Sequence, residues 1–141
     1  MPRSRIVALC ALLLLAVTTL TSPAQDGAGA AQSVVENQLK AFQAGDAEAA
    51  YSHAAPNIRR AFPTREAFMA MVKNGYAPIH SPRSYAFGKA EIAGNGRVTQ
   101  RVLILGPDGK DYEAVYTLEL QEDGVFRITG VSMRAANTLS T

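Results

Sequence analysis

The spacing of apolar residues along this chain changes once, and the change falls within residues 66–87. Phe68, Met71 and Val72 recur at helical spacing, and Gly75 offers the left-handed residue that ends a helix. Pro78 and Pro82 oppose an early restart. Tyr85 and Phe87 then alternate with Ser84 and Ala86, as the side chains of a strand do. A chain helical before this point and stranded after it segregates its helices from its sheet. That is an α+β arrangement, with helices laid over one face of an antiparallel sheet.

Upstream, Val35, Leu39 and Phe42 stand at i, i+4 and i+7 with Val34 and Gln38 beside them, which predicts a helix over 33–42. Gly45 ends it. Asp46 caps a second helix over 46–54, with Ala47, Ala50, Tyr51 and Ala54 on one face and Pro56 beyond its end. His53 stands at that helix's carboxyl end, where partial positive charge is favourable. A short turn is expected over 57–62 with Ile58 and Phe62 inward, and Thr64 caps a third helix over 65–74.

Downstream, four strands are expected over 84–93, 97–105, 111–121 and 125–134. Gly94-Asn95-Gly96, Gly106-Pro107-Asp108-Gly109 and Glu122-Asp123-Gly124 separate them and supply tight reversals, so consecutive hairpins follow. Gly88 and Gly130 break the alternation and read as bulges that bend the sheet. In the third strand Tyr112, Ala114, Tyr116, Leu118 and Leu120 share the side that must face the helices. The opposite face, assigned Leu103, Leu105, Val115, Thr117, Val131 and Met133, is apolar enough to predict a homodimer.

The ends of the chain read differently. Arg3 and Arg5, the apolar run 6–17 and the small residues Ser22-Pro23-Ala24 form an export signal, expected to be cleaved. The run is short for a bilayer span, so the expected location is periplasmic or secreted with no membrane attachment after cleavage. Removing Arg3 and Arg5 from the fourteen Lys and Arg leaves cations equal in number to the twelve Asp and Glu. No basic stripe then draws nucleic acid. The single cysteine, Cys10, leaves with the signal, and with it any disulfide or thiolate. Residues 25–32, rich in Gly and Ala, are expected as a flexible leader, 33–135 as one α+β domain and 136–141 as a tail.

This order of three helices and four strands resembles the nuclear transport factor 2-like, or cystatin-like, cone. The resemblance narrows on Ala41-Phe42-Gln43-Ala44-Gly45-Asp46, on Ala55-Pro56-Asn57-Ile58 with Phe62, and on Phe68-Met69-Ala70-Met71-Val72. With Tyr76-Ala77-Pro78-Ile79 and Phe126-Arg127-Ile128-Thr129-Gly130, these segments resemble an uncharacterised family of small exported bacterial proteins, domain-of-unknown-function family 4864. Phe126 stands where that family often has tryptophan, a change expected to affect packing alone. The resemblance implies three helices on the concave face of a curved four-stranded sheet, and it implies no reaction.

Enzymes on this cone, such as ketosteroid isomerases and limonene epoxide hydrolases, use carboxylates inside it. Here Asp46 is a cap, Asp108 and Asp123 lie in turns, Asp111 starts a strand, and Glu113 and Glu119 lie opposite the tyrosines. Glu91 turns inward only if Gly88 is not a bulge. His53 and His80 have no metal-ligand spacing, and no metal or cofactor is expected. Tyr51, Tyr76, Tyr112 and Tyr116 are expected to approach one cavity, with His80 at its mouth, offering apolar walls with hydroxyl tips for a small amphipathic ligand. Ordinary core packing, each hydroxyl finding a backbone group, is the competing reading. Arg83 either holds an anion at the rim, is solvated, or pairs with a nearby carboxylate.

The expected function is a non-catalytic exported domain that binds a small molecule or a protein. The alternative is a small-pocket enzyme of the isomerase, dehydratase or hydrolase kind, with Tyr76, His80 or Tyr116 as acid–base groups. An apolar or filled interior favours the first, and a polar cavity holding a carboxylate the second. Cleavage is expected after Ala24. The intact mass of protein recovered from periplasm or medium should lack residues 1–24, and a retained segment would refute the signal assignment.

Overall fold

A computed structural model describes residues 23–136 and residue 18, so the expected export segment lies almost wholly outside the described residues. Five helices precede four strands: α1 (Pro23–Ala44), α2 (Ala47–Ser52), α3 (Pro56–Ala61), α4 (Arg65–Gly75), α5 (Ala77–His80), β1 (Ser84–Ala93), β2 (Arg97–Leu105), β3 (Asp111–Leu120) and β4 (Phe126–Ala135). The strands form one antiparallel meander in the order β1-β2-β3-β4. Gly96, Gly109 and Gly124 take positive φ in the three hairpin turns, which is why glycine stands in each separator. No helix of the described residues is long and apolar enough to cross a membrane.

The helices are set by local signals, with three departures from expectation. Asp46 accepts from the Ala49 amide at 3.1 Å and Thr64 from the Ala67 amide at 3.1 Å, capping α2 and α4 as anticipated. Residues 25–32, expected as a flexible leader, are instead turns of α1. Ala31 is wholly buried, and a Cβ built on Gly27 would lie 3.9 Å from the Phe126 ring, so contact with β4 offsets the poor helix propensity of the glycines. Gly75 closes α4 without positive φ; Gly45, after α1, adopts it at 68°. The stretch with Pro78 forms the one-turn α5, because proline is tolerated in a first turn where its missing N–H is not needed.

The core lies between the helices and the inner sheet face. Ala31, Val35, Leu39 and Phe42 of α1, Ala50 of α2, and Phe68 and Val72 of α4 meet Val98, Val102, Ile104, Ala114, Tyr116, Leu118 and Ile128. A second link joins helices to sheet. The Ala55 amide donates to Ile128 O and the Ile128 amide to His53 O, both at 2.8 Å, so the α2–α3 connection runs as a short parallel bridge along β4.

Both suspected bulges are present. Register shifts between Phe87 and Ala90 place Ala90 opposite inward Gln100 and Glu91 opposite Thr99, so Glu91 points out. On β4 the register jumps from Thr117↔Gly130 to Leu118↔Ile128, leaving Thr129 unpaired. That extra residue reverses the alternation. Val131 and Met133 therefore stand opposite Tyr116 and Ala114 on the inner face, packed against the core, and not on the outer face where unbroken alternation puts them. The outer face is laced with ion pairs instead: Arg97–Glu119 at 2.6 Å, and Glu113 shared by Arg101 at 2.7 Å and Arg134 at 2.8 Å. Leu103 remains half exposed there.

Asp46→Ala removes one acceptor at the start of α2 and should lower stability by about 1 kcal/mol in chemical denaturation. An unchanged midpoint would show that packing alone holds α2.

Candidate functional site

The helical layer does not fill the space over β4. A cavity of about 270 Å³ remains, lined by Gln38 and Phe42 of α1, Ile58 of α3, Phe62, and Phe68, Met71 and Val72 of α4. Tyr76, Ile79 and the β4 residues Ile128, Gly130 and Val131 complete it. The local chain explains the lining. Phe68, Met71 and Val72 occupy one face of α4, and the Thr129 bulge swings Val131 inward beside Ile128. The Phe42 and Phe68 rings stack with centroids 6.2 Å apart, and Tyr51 tilts against Phe68 at 5.3 Å.

The five anticipated site residues separate. Tyr76 lines the cavity from the joint between α4 and α5, its amide donating to Val72 O at 2.8 Å. Tyr51 supports the wall from behind: its hydroxyl donates to Phe62 O at 2.6 Å, and the Arg59 guanidinium lies 5.1 Å from its ring centre. His80 stands beside the lining, its ring 6.3 Å from that of Phe42 and its Nδ1 3.0 Å from Ser81 Oγ. Tyr112 is elsewhere. It lies toward the β2–β3 turn, where its hydroxyl donates to Asp108 Oδ2 at 2.5 Å. That bond pushes the phenol up and holds the Asp108 carboxyl below its usual range. Tyr116 is fully buried in the core, its hydroxyl without a hydrogen-bond partner, and burial alone pushes it far above the ordinary phenol range.

Other side chains also depart from expectation. His53 ends α2, but burial first, and then the charge of Arg127, hold its pKa below the usual value, which disfavours the cationic cap. Arg59 serves the helix end instead, donating to Ser52 O at 2.9 Å, Ala54 O at 3.0 Å and Tyr51 O at 3.3 Å. Arg83 donates to Pro107 O at 2.7 Å across the β2–β3 turn. Most of the lining could be found from the helical stripe at Phe42, Ile58, Phe62, Phe68, Met71 and Val72. The contribution of β4 could not, because it depends on the bulge.

The arrangement is suited to holding a molecule. Apart from Gln38 and Tyr76 every lining side chain is apolar, and no carboxylate, histidine or cysteine is among them. Gln38 is 4% exposed and donates from Nε2 to Ala50 O at 3.1 Å, which fixes its amide at the cavity wall. Among the described residues no group of three or more His, Cys, Asp or Glu converges as a metal site.

An antiparallel curved sheet under helices, with an apolar cavity between them, is the NTF2-like architecture. An NTF2-like protein of unknown function from Shewanella baltica shares it at a TM-score of 0.57 and 12% identity, over 84% of this chain and 99% of that one. An NTF2-like protein from Campylobacter jejuni, named as a candidate transpeptidase, matches at 0.50 and 13% identity, over 70% of this chain and 96% of that one. Within this fold the chain belongs to the family described as Domain of unknown function (DUF4864), whose model matches residues 24–141. No curated protein matches the chain.

Buried Tyr116 and half-buried Tyr51 make opposite predictions. Tyr116→Phe removes an unpaired buried hydroxyl and should raise stability by about 1 kcal/mol, whereas Tyr51→Phe breaks a made bond and should lower it by about 1 kcal/mol. Denaturant midpoints compare them, and destabilisation by Tyr116→Phe would mean that its hydroxyl has a partner in solution.

Proposed function

We propose that this protein is an exported binding domain without catalytic activity, and that the cavity between α1, α3, α4, α5 and β4 receives a small, largely apolar molecule. The lining carries the reading. Acid–base catalysis needs a titratable group within hydrogen-bond reach of the reacting atom, and the walls offer only the Gln38 amide and the Tyr76 phenol as polar groups. An apolar enclosure with one or two polar groups is what orients a ligand by shape. Export rests on the charged start, the short apolar run and the small residues before Gln25.

Native mass spectrometry of protein purified from its own host without detergent should detect a retained small molecule. An environment-sensitive apolar dye should compete for the same space. Met71→Trp, which fills the cavity from its α4 wall, should weaken dye binding about tenfold or more while leaving the melting temperature nearly unchanged. Tyr76→Phe should cost about 0.5–1.5 kcal/mol of affinity, the worth of one hydrogen bond. Dye binding indifferent to both changes would refute the site. A turnover abolished by Tyr76→Phe would refute the non-catalytic reading.

A further inference from the structure

Four of the eight arginines within residues 23–136 gather on one flank of the molecule: Arg59, Arg60, Arg97 and Arg127. Arg59, Arg60 and Arg127 line a depression of about 400 Å³ together with Ala54 and Pro56. Through Pro56 and Arg60 it adjoins a second hollow of about 480 Å³, where Arg97 stands among Asn57, Thr117, Thr129 and Gln121. Neither hollow shares a lining residue with the apolar cavity. The bridge between residues 53–55 and Ile128 creates the cluster, because it clamps the start of α3 beside Arg127 of β4. On α3 itself, Ile58 turns to the apolar cavity while Arg59 and Arg60 are exposed.

Part of this charge has a structural use. Arg59 binds helix-end carbonyls, Arg127 holds Asp123 at 2.8 Å and Arg97 holds Glu119 at 2.6 Å. Arg60 has no such use. Among the described residues it forms no ion pair and donates no hydrogen bond, although it lines both hollows. No carboxylate lines the first depression, and Glu119, in the second, is already engaged by Arg97.

We infer that the depression between α3 and β4 binds the dianionic phosphate of a small phosphomonoester, with the hydroxyl-bearing remainder in the adjoining hollow. Guanidinium forks match phosphate oxygens in pairs; Arg60 has its whole fork to offer, and the charges of Arg59 and Arg127 beside it suit a dianion better than a single carboxylate. The neutral hydrogen-bonding groups Asn57, Thr117, Thr129 and Gln121 suit hydroxyl groups.

The test is a titration of the isotope-labelled mature chain with inorganic phosphate, glycerol 3-phosphate and acetate at constant ionic strength, read by nuclear magnetic resonance. Saturable shifts at the side chains of Arg59, Arg60 and Arg127 are expected with both phosphates, tighter for glycerol 3-phosphate, and at least about tenfold weaker with acetate. Arg60→Ala should weaken phosphate binding about tenfold with an unchanged melting temperature. Lys110→Ala, which removes the same charge from the β2–β3 turn, should leave it unchanged. Shifts linear in concentration, acetate binding as tightly as phosphate, or equal losses from both variants would overturn the proposal. Because the two sites share no residue, the dye affinity of the apolar cavity should be indifferent to Arg60→Ala.

Discussion

The inner face of β2 and β3 carries Val98, Val102, Ile104, Ala114, Tyr116 and Leu118, all buried, and the only layer among the described residues that covers them is helical. This one-sided burial decides the rest. A helix presents a narrow apolar stripe, whereas a curved four-stranded sheet presents a broad concave surface, so a single helix cannot match it. α1 supplies the longest stripe, and the short helices α2 to α5 bring the remaining apolar side chains to its flanks. Gly45 at positive φ and the Asp46 and Thr64 caps turn the chain quickly enough to lay so many short pieces over one surface.

The two bulges shape what the helices must cover. The bulge at Gly88 turns Glu91 and its partner Lys89 outward, and the one at Thr129 brings Val131 and Met133 inward. Polar and apolar groups are thereby sorted across the sheet: ion pairs on the convex side, aliphatic and aromatic groups on the concave side. The cavity is the remainder of this sorting, the place over β4 where short helices meet a bent strand without filling the gap. α3 is the dividing element, with Ile58 on the apolar side and Arg60 on the charged one.

Most of the architecture was legible because it is written locally. The four strands fall within a residue or two of their expected bounds, since each hairpin turn announces itself by glycine at a position of positive φ. Facing was harder. A bulge is visible as a glycine in a strand, but which partner residue it skips depends on pairing with a strand distant in sequence, so Val131 and Met133 were assigned to the wrong side. The leader failed for a related reason: Gly27 and Gly29 argue against a helix until β4 lies beside it. The tyrosines were grouped by chemistry, but their positions sort them by geometry. Tyr76 lines the cavity, Tyr51 props it, Tyr116 fills the core, and Tyr112 serves the turn through Asp108.

The contact between the two ends of the domain has a consequence for the order of assembly. The hairpins join neighbouring strands and form with little loss of loop entropy, but α1 reaches β4, with Gly27 against the ring of Phe126. A chain stopped before β4 therefore has its first helix without its last partner. The α2–α3 connection would likewise have no Ile128 to bridge. Burial of the apolar stripe is complete only with the final strand in place. A chain that still lacks β4 leaves part of that stripe open to water and to any apolar surface it meets.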